Sequence, residues 1–377
     1  MSSHIDIRPV DGKRMLENFI RVPWSIYQDD PNWVPPLLME RRDALSAKQA
    51  FFKHARWQAW VAYRDDVAVG RISAQIDDLY LQQQNARNGF FGLIEAIDDA
   101  EVFQALFDCA ENWLREQGME GVIGPFNLNI NQDIGILTDG FDTPPYIMTG
   151  HAPRYYGAAI EACGYQAVQT MLAYHLTSVT LTLPRVMQSL LKRNASRIGM
   201  RSLDRSKTAT ELESMRQIFN DAWENNWNFT PFTAEEFQAV GKELLMIVPK
   251  DFIKIATLDG EDVAFIVLLP NINEVIADLN GRLLPFGWAK LLWRLKVGFP
   301  KSARVPLMGV RKEQQNTHFG PALAYLTIQG VIDAGRAKGI ERAEMSWILE
   351  QNQGVRHIIE SVGGEISKRY SMYEKTL

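Results

Sequence analysis

Two short stretches decide how this chain is built: PNWVPP at Pro31–Pro36 and NNWNFTP at Asn225–Pro231. Each sets Asn-Trp shortly before a proline. So short a motif recurs by chance, and the flanks carry the argument. Around the first, HIDIRPV (His4–Val10) alternates as a strand does and GKRMLENFIRVPWSIYQDD follows as a helical stretch. Beyond it, WVAYRDDVAVGRISAQID (Trp60–Asp77) gives two β-rich runs about RDD, a hairpin. Around the second, IGMRSLD (Ile198–Asp204) reads as a strand. TELESMRQIFNDAWENN then puts Leu212, Met215, Ile218, Phe219 and Trp223 on one helical stripe. IKIATLDGEDVAFIVLLP (Ile253–Pro270) folds back around LDGED. The spacings agree too: Arg8 to Trp33 is 25 positions and Arg201 to Trp227 is 26, while Trp33 to Ala62 and Trp227 to Ala256 are both 29. Shared order and spacing indicate one strand–helix–loop–hairpin unit used twice. Two copies mean paired domains, not a solenoid.

The continuations match in kind. GFFGLIEAID, DAEVFQALFDCAENWLREQG and MEGVIGPF read as strand, helix and strand, with Gly118 as the stop signal. A second helix leads to ACGYQ. In the other half RVPLMGV, PALAYLTIQGVIDAGRAKG and ERAEMSWIL repeat that series, followed by a helix in GVRHIIESVGG and a last strand in YSMYEK. Each half thus reads β–α–β–β–β–α–β–α–β, an α/β (α+β) layout with a mixed sheet, divided as residues 1–178 and 179–377. The 377 residues suit two domains. A net charge of -5 offers no general basic surface for nucleic acid. Two cysteines, Cys109 and Cys163, are too few for a disulfide framework and lack metal spacing, so they are expected reduced and buried. The polar start MSSHIDIRPVDGK lacks a signal-peptide core, and no apolar run spans a bilayer. The expected compartment is the cytoplasm. No zinc spacing, Walker loop or nucleophile elbow appears, and no metal is expected.

This order of elements resembles the GNAT acyltransferase fold, once per half. DDPNWVPPLL, GFDTPP followed by RYY, NDAWENNW, NGRLLPFGW and SWILEQN are similar to one group of tandem GNAT proteins, the bacterial ceramide synthase-like family. That resemblance implies an acyl-CoA-dependent N-acyltransferase, with acyl-CoA as donor and a long-chain amine as acceptor. It places the coenzyme A loop at QNTHFGPAL, where Gln315, Thr317, Phe319 and Gly320 would border a pyrophosphate at a helix N-terminus. His318 stands where the family pattern has glycine, and Pro321 brings no N–H. The other reading is an ordinary helix start. The first half has EAIDDAEVF (Glu95–Phe103) at this place; its acids cap a helix and repel a pyrophosphate, so the donor is assigned to the second half.

The same resemblance puts a main-chain donor for the tetrahedral intermediate near Gly309 and Val310. Asn352 is set near the donor or serves as a helix cap, and Ile359 occupies the position where many relatives carry a proton-donating Tyr. His357 and Tyr370 are near in sequence without a convincing helical phase. An attacking amine must lose a proton; Glu344, Glu350, His318 and Glu224 are candidates, although each reads first as a solvated surface or capping charge. Asn226 and Trp227 are the acceptor-site candidates, although the recurrence at Asn32 and Trp33 also fits an architectural role. The insertion LLPFGWAKLLWRLKVGFPKSAR (Leu283–Arg304) places Trp288, Leu291, Leu292 and Leu295 on one face with Lys290, Arg294 and Lys296 around it, and Trp293 beside them. It can touch an anionic membrane, line an acyl channel or pack on its own domain. The polar loop Gly124–Pro145, with Asn127, Asn129, Asn131 and Asp133 alternating, can reach the second half's site. Two other functions stay open: N-acetyl transfer to a small amine or amino acid, and a non-catalytic tandem GNAT used for binding. Transfer from aminoacyl-tRNA is disfavoured by the acidic chain.

Overall fold

The computed structural model describes residues 4–177 and 185–377. The expected boundary between residues 178 and 179 lies outside the described residues. Two compact units form. One comprises Met1–Met171, Ile276–Trp288 and Lys368–Leu377; the other comprises Leu172–Val275 and Ala289–Ser367. The units are therefore not two successive lengths of chain.

In the first unit Asp6–Pro9 pairs antiparallel with Ala55–Arg64. That strand turns into Val67–Asp77 through Asp65 and Asp66, both at positive φ, as a tight hairpin requires. Val67–Asp77 pairs antiparallel with Asn88–Ala96, which runs parallel to Gly121–Gly124. A parallel pair needs a crossover, and helix Ala100–Glu116 supplies it. Asp99 caps this helix by accepting from the N–H groups of Glu101 and Val102, and Val102, Phe103, Leu106, Phe107, Ala110 and Leu114 face the core. Cys109 is half-buried on the same helix and Cys163 buried elsewhere; both are free thiols, and burial pushes each up to about 11. The loop Gly124–Pro145 is ordered within this unit, with Phe126–Asn127 paired to Asp133–Ile134.

The final strand departs from expectation. YSMYEK is extended, within Glu365–Thr376, but it belongs to the first unit and pairs antiparallel with Gly121–Gly124, from Tyr373↔Gly124 to Thr376↔Gly121. Tyr370, Met372 and Tyr373 are buried there, and a charge adds to the hold. Lys375 Nζ donates to both carboxylate oxygens of Glu111, at 2.8 and 3.0 Å, and to the Cys163 carbonyl at 3.0 Å. Tyr165 and Arg115 also bond Glu111.

The second unit repeats the strand order. Ile198–Ser202 pairs with Ile253–Leu258, which pairs with Glu261–Pro270, then Ser302–Val310, all antiparallel; Ser302–Val310 is parallel to Arg342–Leu349. Helices Thr208–Trp223, Phe319–Ala337 and Gln353–Ser361 fall where the periodicity puts them. Helix Ala234–Ile247 was not expected, although its capping box, Thr233 with Glu236, is written in the sequence. None of the described helices is long and apolar enough to cross a membrane.

Replacing Lys375 by Met leaves the buried Glu111 carboxylate without its main cation. The expected cost is about 3 kcal/mol of unfolding free energy, read by urea titration of the full chain.

Candidate active site

In the second unit the ladder between Ser302–Val310 and Arg342–Leu349 runs from Ser302↔Arg342 to Val305↔Met345 and stops after four pairs. On the other edge Ser302–Val310 stays paired with Glu261–Pro270 as far as Ala264↔Val310. Pro306–Val310 therefore has one edge on a strand and one on a gap. The direction of its main-chain groups follows from one contact: the Arg311 N–H donates to the Val263 carbonyl at 2.8 Å. Alternation along an extended chain turns Gly309 and Leu307 the same way and Val310 and Met308 towards the gap. The carbonyls agree. Met308 O accepts from the Trp223 indole N–H at 2.9 Å, and Val310 O accepts from the Gln315 amide at 2.9 Å. The donors turned to the gap are the N–H groups of Val310 and Met308; that of Gly309 is turned to the neighbouring strand. On the face covered by helix Phe319–Ala337, a narrow cleft is lined by Val305, Met345, Leu268, Ile328, Val331 and Ile332. Val305 and Met345 are the last pair before the gap.

The loop ahead of that helix satisfies much of its own backbone. The N–H of Lys312 donates to Asp221 at 2.6 Å. Those of Gln314 and Gln315 donate to Arg311 O, that of Thr317 to Gln314 O and that of Gly320 to Thr317 O. The Phe319 N–H is bonded by the Thr317 hydroxyl at 3.1 Å. The missing Cβ of Gly320 is needed by the loop itself, because a methyl there would stand 2.6 Å from Gln314 O and 2.8 Å from Gln315 O. His318 is exposed, its ring against Phe319. Phe319 is buried beneath the Arg197 guanidinium, 5.1 Å from its ring centre.

Glu344 and Arg304 sit at the vertex of the gap, one step before the last pair. They are 1% and 2% exposed. Arg304 Nε donates to Ser346 Oγ at 2.8 Å and lies 3.8 Å from Glu344 Oε1, which accepts from Ser346 Oγ at 2.6 Å. The guanidinium also lies over the Trp347 ring. Glu344 is thus built into an interior ion pair. Glu350 is half-buried just past the free end of the diverging strand, its carbonyl held by Arg356. Asn352 caps the next helix, its side chain accepting from the Val355 N–H at 3.2 Å. Ile359 is fully buried, His357 is exposed, and Tyr370 belongs to the first unit.

Asn226 and Trp227 lie half-buried in the turn after helix Thr208–Trp223, where Asn226 N–H donates to Trp223 O and Asn226 O accepts from Phe229. Glu224 is in an exposed pair with Lys312 at 2.7 Å. Trp288 and Trp293 are exposed on helix Gly287–Lys296. Among the described residues no group of three His, Cys, Asp or Glu could hold a metal ion.

The first unit has the same gap, but it is filled. Asn88–Ala96 and Gly121–Gly124 pair only from Asn88↔Gly121 to Phe90↔Ile123. Beyond, the chain at Phe126–Leu128 enters. A Cβ on Gly92 would fall 1.9 Å from Phe126 O. Gln75 donates to Phe126 O at 2.6 Å and Leu128 O at 3.1 Å, and Asn127 Oδ1 accepts from the Leu93 N–H at 2.8 Å. Glu95, at the end of that strand, takes hydrogen bonds from Tyr27 and Tyr156 at 2.8 and 2.7 Å. Burial raises its carboxyl, with Arg71 opposing. Trp33 stacks on Tyr27 at 5.1 Å, and Asn32 bonds Phe141 O, so in this copy the Asn-Trp pair is architectural.

No family model matches the chain. Bacterial ceramide synthase of Caulobacter vibrioides is 45% identical over 379 aligned positions, covering 100% of this chain and 98% of that protein. The chain belongs to the bacterial ceramide synthase-like family of tandem GNAT acyltransferases. Protein YghO of Escherichia coli is 48% identical over 371 residues, covering 98% of this chain and 95% of that one. Among solved structures, a tandem GNAT protein from the clavulanic acid biosynthesis pathway superposes with a TM-score of 0.58 at 11% identity, over 99% of this chain and 98% of its own. The glucosamine N-acetyltransferase region of a fungal multi-domain β-N-acetylglucosaminidase gives 0.60 at 13%, over 100% of this chain, which spans 38% of that longer protein. At such identities these two share the fold alone. With the family shown, the tandem reading of the halves holds, and the chain is a GNAT-fold acyltransferase.

Trp223 is the site residue the sequence reading missed: it was counted only as part of a helical stripe, and nothing local shows its indole reaching a strand carbonyl. Gly320→Ala should lower stability by about 1–2 kcal/mol, because crowding of two main-chain oxygens exceeds the helix propensity gained; a lower melting temperature of the full chain checks this.

Proposed function

We propose that the second unit of this tandem acyltransferase moves an acyl group from acyl-CoA to an amine, and that the acceptor is lipidic, a sphingoid base or similar long-chain amine. The observation that carries the site is the gap beside Pro306–Val310, with two main-chain N–H groups turned towards it and its first-unit counterpart filled by Phe126–Leu128. The lipid side rests on the family, one of whose members bears the name ceramide synthase, and on the apolar lining of the adjoining cleft.

The chemistry assigned to the gap is direct. The amine nitrogen attacks the thioester carbonyl, and the carbonyl oxygen takes up the negative charge. The C–S bond then breaks, and the coenzyme A thiolate leaves with a proton taken ultimately from the amine. Of the two strand residues expected as donors, Val310 is the one whose N–H can meet that oxygen; fixed dipoles aimed at a developing charge lower the barrier most. Glu350, beyond the free end of the diverging strand, is the base this reading prefers over Glu344, which Arg304 occupies, and over His318, which stands on the outer loop. Gln315, Thr317, Phe319 and Gly320 form the wall on which the donor's phosphates would lie, and Asn226 and Trp227 border the acceptor.

Val310→Pro removes one N–H without breaking the ladder, since that N–H is not on the paired edge. It should lower kcat/KM for long-chain acyl transfer about 10²-fold while coenzyme A still binds by calorimetry. Absence of turnover with a panel of acyl-CoA donors and sphingoid bases, together with no heat on titrating coenzyme A, would sink the proposal in favour of a non-catalytic tandem protein.

A further inference from the structure

The helix Gly287–Lys296 has no buried residue, although its sequence is GWAKLLWRLK. Leu291 and Leu295 are half-buried on its inner side, and Arg294 holds the Val275 carbonyl at 2.7 Å. Trp288, Leu292 and Trp293 face outward. Leu284 and Phe286 precede them and Val297 follows. These six side chains are between 49% and 78% exposed, and they are six of the twelve large apolar residues that stand exposed among the described residues. A protein at ease in water scatters such residues singly; a run of them marks a contact surface.

Charge decides what it contacts. Between Asp278 and Glu313 the sequence holds eight lysines and arginines and no carboxylate, in a chain whose net charge is -5. Arg282, Lys290 and Lys296 of this run are exposed. A second copy meeting the same face about a two-fold axis would set these cations against one another. An anionic bilayer meets both demands: phosphate headgroups for the lysines and the acyl boundary for tryptophan, phenylalanine and leucine, the mixture that interfacial helices carry. We infer that Leu284–Val297 docks this protein onto the surface of an anionic membrane, with the helix lying in the interface and not crossing it. The inference deepens the lipid-acceptor reading, but its test needs no acyl transfer.

The experiment is co-sedimentation of the full chain with large vesicles, without substrate. Equimolar phosphatidylglycerol and phosphatidylcholine should pellet the protein, pure phosphatidylcholine at least about tenfold less, and 0.5 M salt should release much of what is bound. Phe286→Ser/Val297→Ser should weaken partitioning about tenfold at unchanged melting temperature. Lys290→Glu/Lys296→Glu should abolish the preference for the anionic lipid. Equal binding of wild type and both variants, no binding to either vesicle, or a wild-type dimer that Phe286→Ser/Val297→Ser turns into a monomer would each overturn the inference. Failure of acyl transfer with intact vesicle binding would instead count against the reaction alone.

Discussion

Parallel strands that part after a few pairs leave main-chain donors and acceptors without a ladder, and buried main-chain groups must find partners. Both units of this chain live under that constraint. The first resolves it with its own chain: Phe126–Leu128 enters the gap, Asn127 accepts the Leu93 N–H and Gln75 holds two carbonyls. The second resolves only half of it. Side chains of Trp223 and Gln315 take the carbonyls of Met308 and Val310, and the amides are left turned to the gap. Acceptors are covered and donors remain, which is the polarity that a developing oxyanion requires. Among the described residues the two gaps thus differ by one short stretch of chain, inserted in one copy and not in the other, and on the proposed reading that stretch separates a scaffold from a reaction site.

The cross-strand pair Arg304–Glu344 lies at the vertex of this gap, with Ser346 between them and the Trp347 ring against the guanidinium. A buried ion pair is a poor source of net stability but a costly one to break. On the proposed reading Glu344 is a structural group and not the proton acceptor: both charges lie in the interior, and its Oε1 already accepts from Ser346.

How much of this was legible varies with how local the signal is. Hairpins, crossover helices and the duplication could be read because alternation, helical spacing and caps such as Asp99 are written within a few residues. The strand Glu365–Thr376 was legible as a strand, yet its pairing with Gly121–Gly124 was not. Nothing in YSMYEK distinguishes one sheet edge from another; the contacts it makes there, such as Lys375 with Glu111, join residues 264 positions apart. At the site, family likeness pointed to Gly309 and Val310 together, and only the observed contact of Arg311 with Val263 separates them. Gly320 was expected to make room for a phosphate, and the space it leaves is used by Gln314 and Gln315 carbonyls. A glycine in a sequence announces a close approach without saying of what.

The crowding around Gly320 also bears on how a thioester donor would be held. Several amides of the loop before helix Phe319–Ala337 are bonded within the loop or to Asp221, and Pro321 brings none. A charge-assisted hydrogen bond contributes about 1.5–3 kcal/mol, so each amide withdrawn from a diphosphate is a real loss. A buried methylene contributes about 0.8 kcal/mol, so two to four methylenes replace one such bond. The cleft beside Val305 and Met345 is lined by apolar side chains. On the proposed reading, a donor with a long acyl chain recovers through buried methylenes what the loop does not give, whereas an acetyl group has none to bury. The same feature that departs from the family's phosphate loop therefore argues for a greasy substrate: the weaker the grip on the phosphates, the more the binding energy must come from the chain.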